Sequence, residues 1–453
     1  MPTNILNLPS VVIDSVDEAE HDYHIYAHAL NSPNSCPACM SAEVVGFGRN
    51  EQLVKDLPIH GKRVGIYFDT RRFRCKECRK TFLEQHTDFH PERAMTTRLV
   101  NWIGRQCIKR TFASIAEETG VVEGTIRNIF RDYINDLEQT IRFETPKWMG
   151  IDEIHLIKPR GVITNIQNNT VVELLPNRNK ETIIKYLTGL QGKEEIAYVA
   201  MDMWAPYRDA VLQVLPDAKI VIDKFHVVKM ANEAVERVRK SFKAELAPKI
   251  RRTLMHDRYT LLKRESDLTD KEALLLSGWA NNFPTLALAY RLKEGFFKIY
   301  EAKTRNDALA LFANWEISVT HEVRDAFSDL IRAWRNWQPY ILNYFDHPVN
   351  QPITNAYTES LNNLIRVMNR LGRGYSFEAL RAKILFSEGA FKKELQRPKF
   401  ERRIGYGVPD MPMMFRTVPG LSSKVIEVDE NAAEVNYGVN ILILTRMIEA
   451  GEI

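Results

Sequence analysis

The stretch "WMGIDEIHLIKPRGVITNIQNNTVVELLP", residues 148–176, decides the fold. Its apolar runs, WMGIDEIHLI, GVITNIQ and TVVELLP, are rich in Ile and Val and are broken by Pro159 and by the Asn168-Asn169 pair. That pattern predicts three strands joined by tight turns. A helical period follows in KETIIKYLTGL (180–190), then an apolar run EIAYVAM (195–201), a second helix APYRDAVLQVL (205–215) and a last strand KIVI (219–222). Three strands, helix, strand, helix, strand is the order of a mixed α/β sheet in which the first and fourth strands are neighbours.

Each of three strands brings an Asp to the core. Asp152 sits inside the first, Asp202 ends the fourth, and Asp223 ends the fifth in AKIVIDKFHVVKM (218–230), with His226 three residues on. A lone carboxylate within an apolar strand costs several kcal/mol unless something pairs with it, and a divalent metal is a suitable partner. The carboxyl end of a strand is where an α/β sheet opens into a crevice, so Asp152 and Asp202 are placed to share a metal. A third acid is expected from NAYTESLNNLIRVMNRLGRG (355–374), read as a helix with Leu361, Leu364, Ile365, Met368 and Leu371 on its apolar stripe. Asn355, Glu359, Asn362, Asn363, Arg366 and Arg370 fall on the other face, and Glu359 is its only acid. Two Asp and a Glu around two magnesium ions suit in-line phosphoryl displacement, the reaction of DNA strand cleavage and strand transfer. A solvated helix surface with a chance Glu is the competing reading of this helix.

Upstream, VVIDSV, HIYAHAL and RVGIYFD read as strands around two Cys-x-x-Cys knuckles, Cys36/Cys39 and Cys75/Cys78. Four thiolates suit a tetrahedral structural zinc with no position left for water. A redox role for one pair explains only half of the motif, and Cys107 reads as a buried helix residue. The basic run Arg71, Arg72, Arg74, Lys76, Arg79 and Lys80 surrounds the second knuckle; residues 62–80 carry eight basic and two acidic side chains. TFASIAEETGVVEGTIRNIFRDYI (111–134) has the pattern of a helix-turn-helix, with Gly120 at the turn, Ile115, Val121, Ile126, Ile129 and Phe130 inside, and Arg127, Asn128 and Arg131 facing out to DNA. A plain helical hairpin is the alternative. Residues 361–403 carry eleven basic and four acidic side chains, a second footprint of a phosphate-backbone binder or a solvated charged face.

The chain's 453 residues allow about three domains. Five Cys make no disulfide scaffold and fit a reducing, cytoplasmic setting. The N-terminus has no secretory pattern, and no apolar run approaches the ~20 residues of a membrane span. Residues 227–345 read as helical. AWRNWQPYILNYF offers Trp334, Trp337, Tyr340 and Tyr344 for stacking on a base, though such a stripe also suits helix packing. In the tail, VPDMPMMF reads as a loop and VNYGVNILIL (435–444) as a strand.

The Cys knuckles, the helix-turn-helix, GIDE at 150–153, DKFHVVKMAN at 223–232 and TNAYTESLNNLIR at 354–366 together resemble the insertion-sequence transposases of the ISL-three family. These are bacterial enzymes with a retroviral-integrase-like RNase H core. The resemblance implies an Asp-Asp-Glu transposase that binds the terminal inverted repeats of its element as double-stranded DNA, cuts there and joins the ends to target DNA with Mg2+. It implies a homodimer or higher assembly on DNA and a cytoplasmic, nucleoid-associated location. Asp152 matches the first acid and Glu359 the last. Asp202 is favoured as the middle acid, because Asp223-Lys224-Phe225-His226 looks like the auxiliary Cys/Asp-x-x-His motif of related superfamilies, which makes Asp223 and His226 auxiliary; the alternative triad is Asp152, Asp223 and Glu359. The expected layout is a zinc-binding module (1–92), a helix-turn-helix domain (93–145), an RNase H-like core in two parts (146–226 and 351–400) flanking a helical insertion (227–350), and a tail (401–453). A non-catalytic DNA-binding regulator and a structure-specific nuclease remain as alternatives on the same modules.

Overall fold

The computed structural model describes residues 6–84, 86–141, 145–242, 246–346, 353–392 and 441–450. The Asp-bearing strands form one five-stranded sheet. β6 (Trp148–His155), β7 (Pro159–Asn165) and β8 (Thr170–Leu174) make an antiparallel meander, while β9 (Tyr198–Met201) and β10 (Lys219–Ile222) run parallel to β6. The order is β10-β9-β6-β7-β8, so the first and fourth strands of the unit are neighbours, with Ile151 opposite Met201. The crossover helices are α4 (Lys180–Gly189) and α5 (Ala205–Val214). Strand alternation sorts β6 by face. Met149 and Ile151 join a core with Ile183, Leu187 and Val211, whereas Ile154 joins Leu361, Ile365 and Leu380 in another. Gly150 and Asp152 share the parity of Ile154 and face the same side.

Before this sheet, β1 (Val11–Glu18), β2 (Asp22–Ala29), β3 (Val44–Ile59), β4 (Lys62–Cys75) and β5 (Thr81–Leu83) form a second sheet, with β3 and β4 a long hairpin. The turn at His60-Gly61 takes positive φ at both residues, the two-residue hairpin geometry that matches strand twist. The strands expected at 11–16, 24–30 and 63–69 are present. β3 was not anticipated: residues 45–53 of it are exposed, so no hydrophobic alternation marks them. Next come α1 (Thr97–Lys109), α2 (Phe112–Thr119) and α3 (Glu123–Thr140), capped at Thr96 and Thr111 by side-chain oxygens. Gly120 takes φ +66° at the α2 C-cap, where a Cβ would be strained. Buried Asp56 accepts from Thr96 Oγ1 (2.6 Å) and Arg98 Nε (2.8 Å), fastening β3 to α1.

After β10 the chain enters a helical body: α6 (Lys224–Ser241), α7 (Pro248–His256), α8 (Arg258–Leu262), α9 (Asp270–Asn282), α10 (Pro284–Ile299), α11 (Arg305–Ser318) and α12 (His321–Leu342). Its interior is aromatic, with Trp334 stacked on Phe312 at 4.4 Å and set edge-on to Phe296. This body also covers the sheet's edge: Asn343 Nδ2 donates to the Ile220 carbonyl at 2.7 Å, satisfying an acceptor of edge strand β10. The chain then returns as α13 (Ala356–Leu371) across the β6 face, followed by α14 (Phe377–Glu388) against β8. The tail helix α15 (Ile441–Ala450) lies along α13. This corrects the strand expected at 435–444: its last four residues begin a helix whose Thr445 hydroxyl meets that of Ser360 at 3.2 Å. Apolar runs of this length do not distinguish the two states, and docking on α13 selects the helix. The loop expected at 408–415 lies outside the described residues.

Two cations of α14 tie the helix-turn-helix to the sheet. Lys383 is buried; its ammonium donates to the carbonyls of Cys107 and Arg110 at the end of α1 and lies over the rings of Phe112, Phe130 and Tyr375. Arg381 grips Glu173 of β8 through two hydrogen bonds and Glu138 of α3 through a third (2.8 Å). Lys383→Ala leaves two carbonyls unpaired and a cavity among three rings. The expected loss is about 2–4 kcal/mol, read from the urea midpoint.

Candidate active site

The polar side of α13 is divided between the sheet and water. Asn355, Thr358 and Asn362 are buried against β6 and β7, while Leu371, expected on the apolar stripe, is exposed. The competing reading of this helix as a solvated surface therefore does not hold for Asn355 and Asn362, which form a docking face, while Asn363 and Arg370 are exposed. Asn355 Nδ2 donates to the Ile151 carbonyl (3.3 Å), and Thr358 Oγ1 lies 2.7 Å from Thr164 Oγ1 and donates to Asn355 Oδ1 (2.6 Å). Asn362 Nδ2 donates to Asp152 Oδ2 at 2.7 Å and to the Glu153 carbonyl at 3.3 Å. Gly150 lies beneath this seam because nothing larger fits.

Across from Asp152, the β9–α5 turn brings Asp202 and the first turn of α6 brings His226. Both line a cleft of about 350 Å³ with Asp152. His226 Nε2 lies 2.7 Å from Asp202 Oδ1 and 3.0 Å from Glu359 Oε1, joining acids of two elements. Asp223 caps α6, accepting weakly from the Phe225 N–H (3.4 Å), and lies fully buried behind His226; its Oδ2 has no hydrogen-bond partner among the described residues. Asp223, His226 and Glu359 offer ligand atoms within 4.8 Å of one another. Thus the structure brings Asp152, Asp202, Glu359, Asp223 and His226 together, and of the two alternative middle acids it is Asp202 that lines the cleft.

The electrostatics follow from crowding. Burial, then repulsion from Asp202, raises the Asp152 carboxyl well above its usual range. Burial pushes Asp223 up to about 7 against the opposing pull of His226. Burial alone would deprotonate His226, but the Asp202 and Glu359 carboxylates hold it protonated, up to about 11. Carboxylate oxygens from separate elements, mutually repelling in a water-accessible cleft, are a donor set that fits a hard divalent cation.

The zinc knuckles also converge. Cys36 Sγ lies 3.6 Å from Cys78 Sγ, as does Cys39 Sγ from Cys75 Sγ, and all four sulfurs fall within 4.8 Å of one another. These distances are far beyond a disulfide bond and close to the ~3.8 Å edge of a tetrahedron with Zn–S bonds of about 2.3 Å. Burial raises the Cys36 thiol, but N–H groups of Ala38 and Cys39 and the neighbouring thiols bring it down to about 7. The residues fit a structural Zn2+. Cys107 is buried in α1, its thiol pushed up to about 12 by burial.

Of the expected DNA contacts, Arg127, Asn128 and Arg131 are exposed on α3, Arg72, Arg74 and Arg79 on the zinc module, and Arg370 on α13. Arg72 and Arg74 flank the exposed Phe47 ring. Arg71 departs from the expectation. Its guanidinium is bound to Glu84, the Ser32 hydroxyl and the Asn31 carbonyl, so it holds the module together. Arg366 is half-buried and donates to Asn363 Oδ1 at 2.9 Å. In the helical body Trp334 and Tyr344 are core residues, and Trp337 and Tyr340 are partly buried against the same core. Thr164, Glu153, Arg178 and Trp204 were missed; Glu153 and Trp204 lie close to acids in the sequence, but only the fold links Thr164 and Arg178 to them.

Comparison with known proteins places these modules. The ISL3 transposase family model matches residues 149–384, more than half the chain. The zinc-finger of the transposases IS204/IS1001/IS1096/IS1165 matches 32–78, and the helix-turn-helix domain of transposase family ISL3 matches 85–134. The chain belongs to the ISL3 family of transposases. It is 24% identical over 330 residues to the transposase for insertion sequence element IS1001 of Bordetella parapertussis, covering 71% of this chain and 80% of that one. It is 27% identical over 306 residues to the transposase for IS1557 of Mycobacterium tuberculosis, covering 61% and 67%.

Two outcomes are expected. Metal analysis should find one zinc per chain, and Cys75→Ser should lose it and expose residues 32–84 to limited proteolysis. Gly150→Ala places a Cβ against Thr164 Oγ1, 2.6 Å from Asn355 Oδ1 and 2.7 Å from Thr358 Oγ1. It should destabilise the protein by about 1–3 kcal/mol in urea titration with the zinc content unchanged.

Proposed function

We propose that the chain is an Asp-Asp-Glu transposase that binds its element's terminal inverted repeats and catalyses metal-dependent strand cleavage and strand transfer. The observation that carries this reading is the convergence of Asp152 and Asp202, from β6 and the β9–α5 turn, on one cleft, with Glu359 of α13 joined to Asp202 through His226. The sheet order β10-β9-β6-β7-β8, with an antiparallel meander beside two parallel strands, supports an RNase H-like core. In this reading residues 1–92 and 93–145 engage DNA, 146–226 and 351–400 form the core, 227–350 are an insertion and 401–453 a tail. The DNA is gripped by Arg72, Arg74 and Arg79 of the zinc module, Arg127, Asn128 and Arg131 of α3, and Arg366 and Arg370 of α13. Joining two ends calls for a homodimer or higher assembly.

Asp152, Asp202 and Glu359 would hold two Mg2+. Such ions activate a water or 3′-hydroxyl and stabilise the leaving oxygen of an in-line displacement. The chain's residues supply the rest. Asn362 fixes the Asp152 carboxylate by its amide, and the seam of Asn355, Thr358 and Thr164 fixes the pitch of α13 and therefore Glu359. The His226 cation offsets the repulsion between Asp202 and Glu359. Asp223 starts α6 and so aims His226; that position supports an auxiliary role and favours Asp202 as the second ligand.

The test is a strand-transfer assay with Mg2+ and labelled inverted-repeat ends. Asp152→Asn, Asp202→Asn and Glu359→Gln should each lower cleavage by at least roughly 10³-fold with end binding retained. Asp223→Asn should leave measurable cleavage; a reversed result for Asp202 and Asp223 would move the second ligand to Asp223. Binding without cleavage by the unaltered chain would make it a regulator, and cleavage without joining a nuclease.

A further inference from the structure

The cleft beside the acids contains groups that the metal reading leaves unused. Trp204 follows Asp202 by two residues; its N–H donates to the Asp202 carbonyl at 2.7 Å in the turn that starts α5, and the residue is 41% exposed. Arg178 lies over its ring, Cζ 5.0 Å from the centroid, and is anchored by an ion pair to Glu153, the neighbour of Asp152. Tyr207, three residues beyond Trp204, is 1% exposed, lines the same cleft, and has a hydroxyl with no partner among the described residues. A buried hydroxyl without a partner is costly, and an ordered water or an incoming polar group would satisfy it. Lys229, exposed on α6 three residues past His226, closes the rim.

An open indole backed by a guanidinium, a buried hydroxyl donor and a rim ammonium are what a nucleotide requires: a stacking plane for its base and donors for its phosphate and sugar. The cleft's volume falls at the lower end of the ~300–1,000 Å³ usual for small-molecule sites. The helical body offers no equivalent at this place, because Trp334 and Tyr344 are core residues and none of its tryptophans lines the cleft.

We propose that this cleft is a single-nucleotide subsite in which Trp204 stacks on the base beside the scissile phosphate, while Tyr207 and Lys229 hold that nucleotide's phosphate and sugar. The inference rests on the cleavage reading above. The stacked base leaves the duplex, and its stacking on Trp204 offsets part of the unpairing cost. Trp204 thereby fixes the sugar–phosphate next to Asp202.

The test uses duplexes ending in the element's own inverted repeat, either intact or abasic at one nucleotide flanking the scissile phosphate. On the intact end Trp204→Ala should slow cleavage about ten- to one-hundred-fold, while Trp204→Phe, which keeps a stacking plane, stays within about threefold of wild type. On the duplex abasic at the stacked position, wild type and Trp204→Ala should cleave at equal rates, since neither has a base to stack. Tyr207→Phe should slow cleavage with the thermal midpoint unchanged. Equal cleavage of the intact end by wild type and Trp204→Ala overturns the subsite, and so does an equal defect on intact and both abasic ends. Wild type and Asp152→Asn run alongside. Cleavage by the first and not the second, with no Trp204 effect, sinks the subsite alone; no cleavage by wild type sinks the reading beneath it as well.

Discussion

The hydrogen bond from Asn362 to Asp152 is the contact on which the rest of the site depends. A carboxylate inside a strand, facing a packed helix, is tolerated only if a donor meets it. The donor comes from a residue 210 positions later in the chain, so forming it requires the sheet, the helical body and α13 all to be in place. The same seam sets the height of α13 over β6. Thr358 and Asn355 bond to each other and to the sheet, and Gly150 removes the one side chain that would hold the surfaces apart. Buried polar contacts of this kind contribute little net stability and much geometric definition. Here the geometry they define is the position of Glu359, one helical turn before Asn362.

The acids then pose an electrostatic problem that the chain solves only in part. Asp152, Asp202, Glu359 and Asp223 gather around a small volume, and the burial and repulsion that raise Asp152 and Asp223 oppose their charge. His226 contributes one positive charge between Asp202 and Glu359. Arg178 is paired with Glu153 and Lys229 is exposed, so His226 is the one cation bonded to any of these four carboxyl groups among the described residues, and a divalent ion or a protonated acid would make up the difference. This deficit is a physical reason to expect such a site to take up metal, independent of any resemblance.

How far the sequence could be read follows the range of the interactions involved. The meander, both crossover helices, KIVI and the positive-φ turn at Gly120 were legible because each is set by local periodicity or local backbone chemistry. The four knuckle Cys and the five acid-site residues were legible as residue types at telling positions, yet spacing gave no sign that Asp223 lies behind His226 and Asp202 in front. The polar face of α13 was legible as polar, but the sequence did not distinguish its competing reading as a solvated surface from a docking face. A helix that docks through amides and hydroxyls has the same pattern as one that faces water, and only the partners Thr164 and Gly150, some 200 residues upstream, distinguish them. β3 escaped for the opposite reason, its outer half having no core to imprint a period-two pattern. Arg71 looked like its neighbours in a basic run, but its strand position turns it toward Glu84.

The helical body is the remaining link between the two halves of the site. It separates His226 from Glu359 in sequence, yet the two side chains meet at 3.0 Å. α6 leaves the sheet with His226 in its first turn and packs on α10 and α12, and α12 returns to β10, where Asn343 bonds to Ile220. The direction of α6, and thus the reach of His226 to Glu359, is braced by an aromatic core of Phe296, Trp315, Phe327 and Trp334. The helical body is therefore a brace for the acid cluster as well as added surface: a shift of α12 against α6 would move the only cation standing between Asp202 and Glu359 among the described residues.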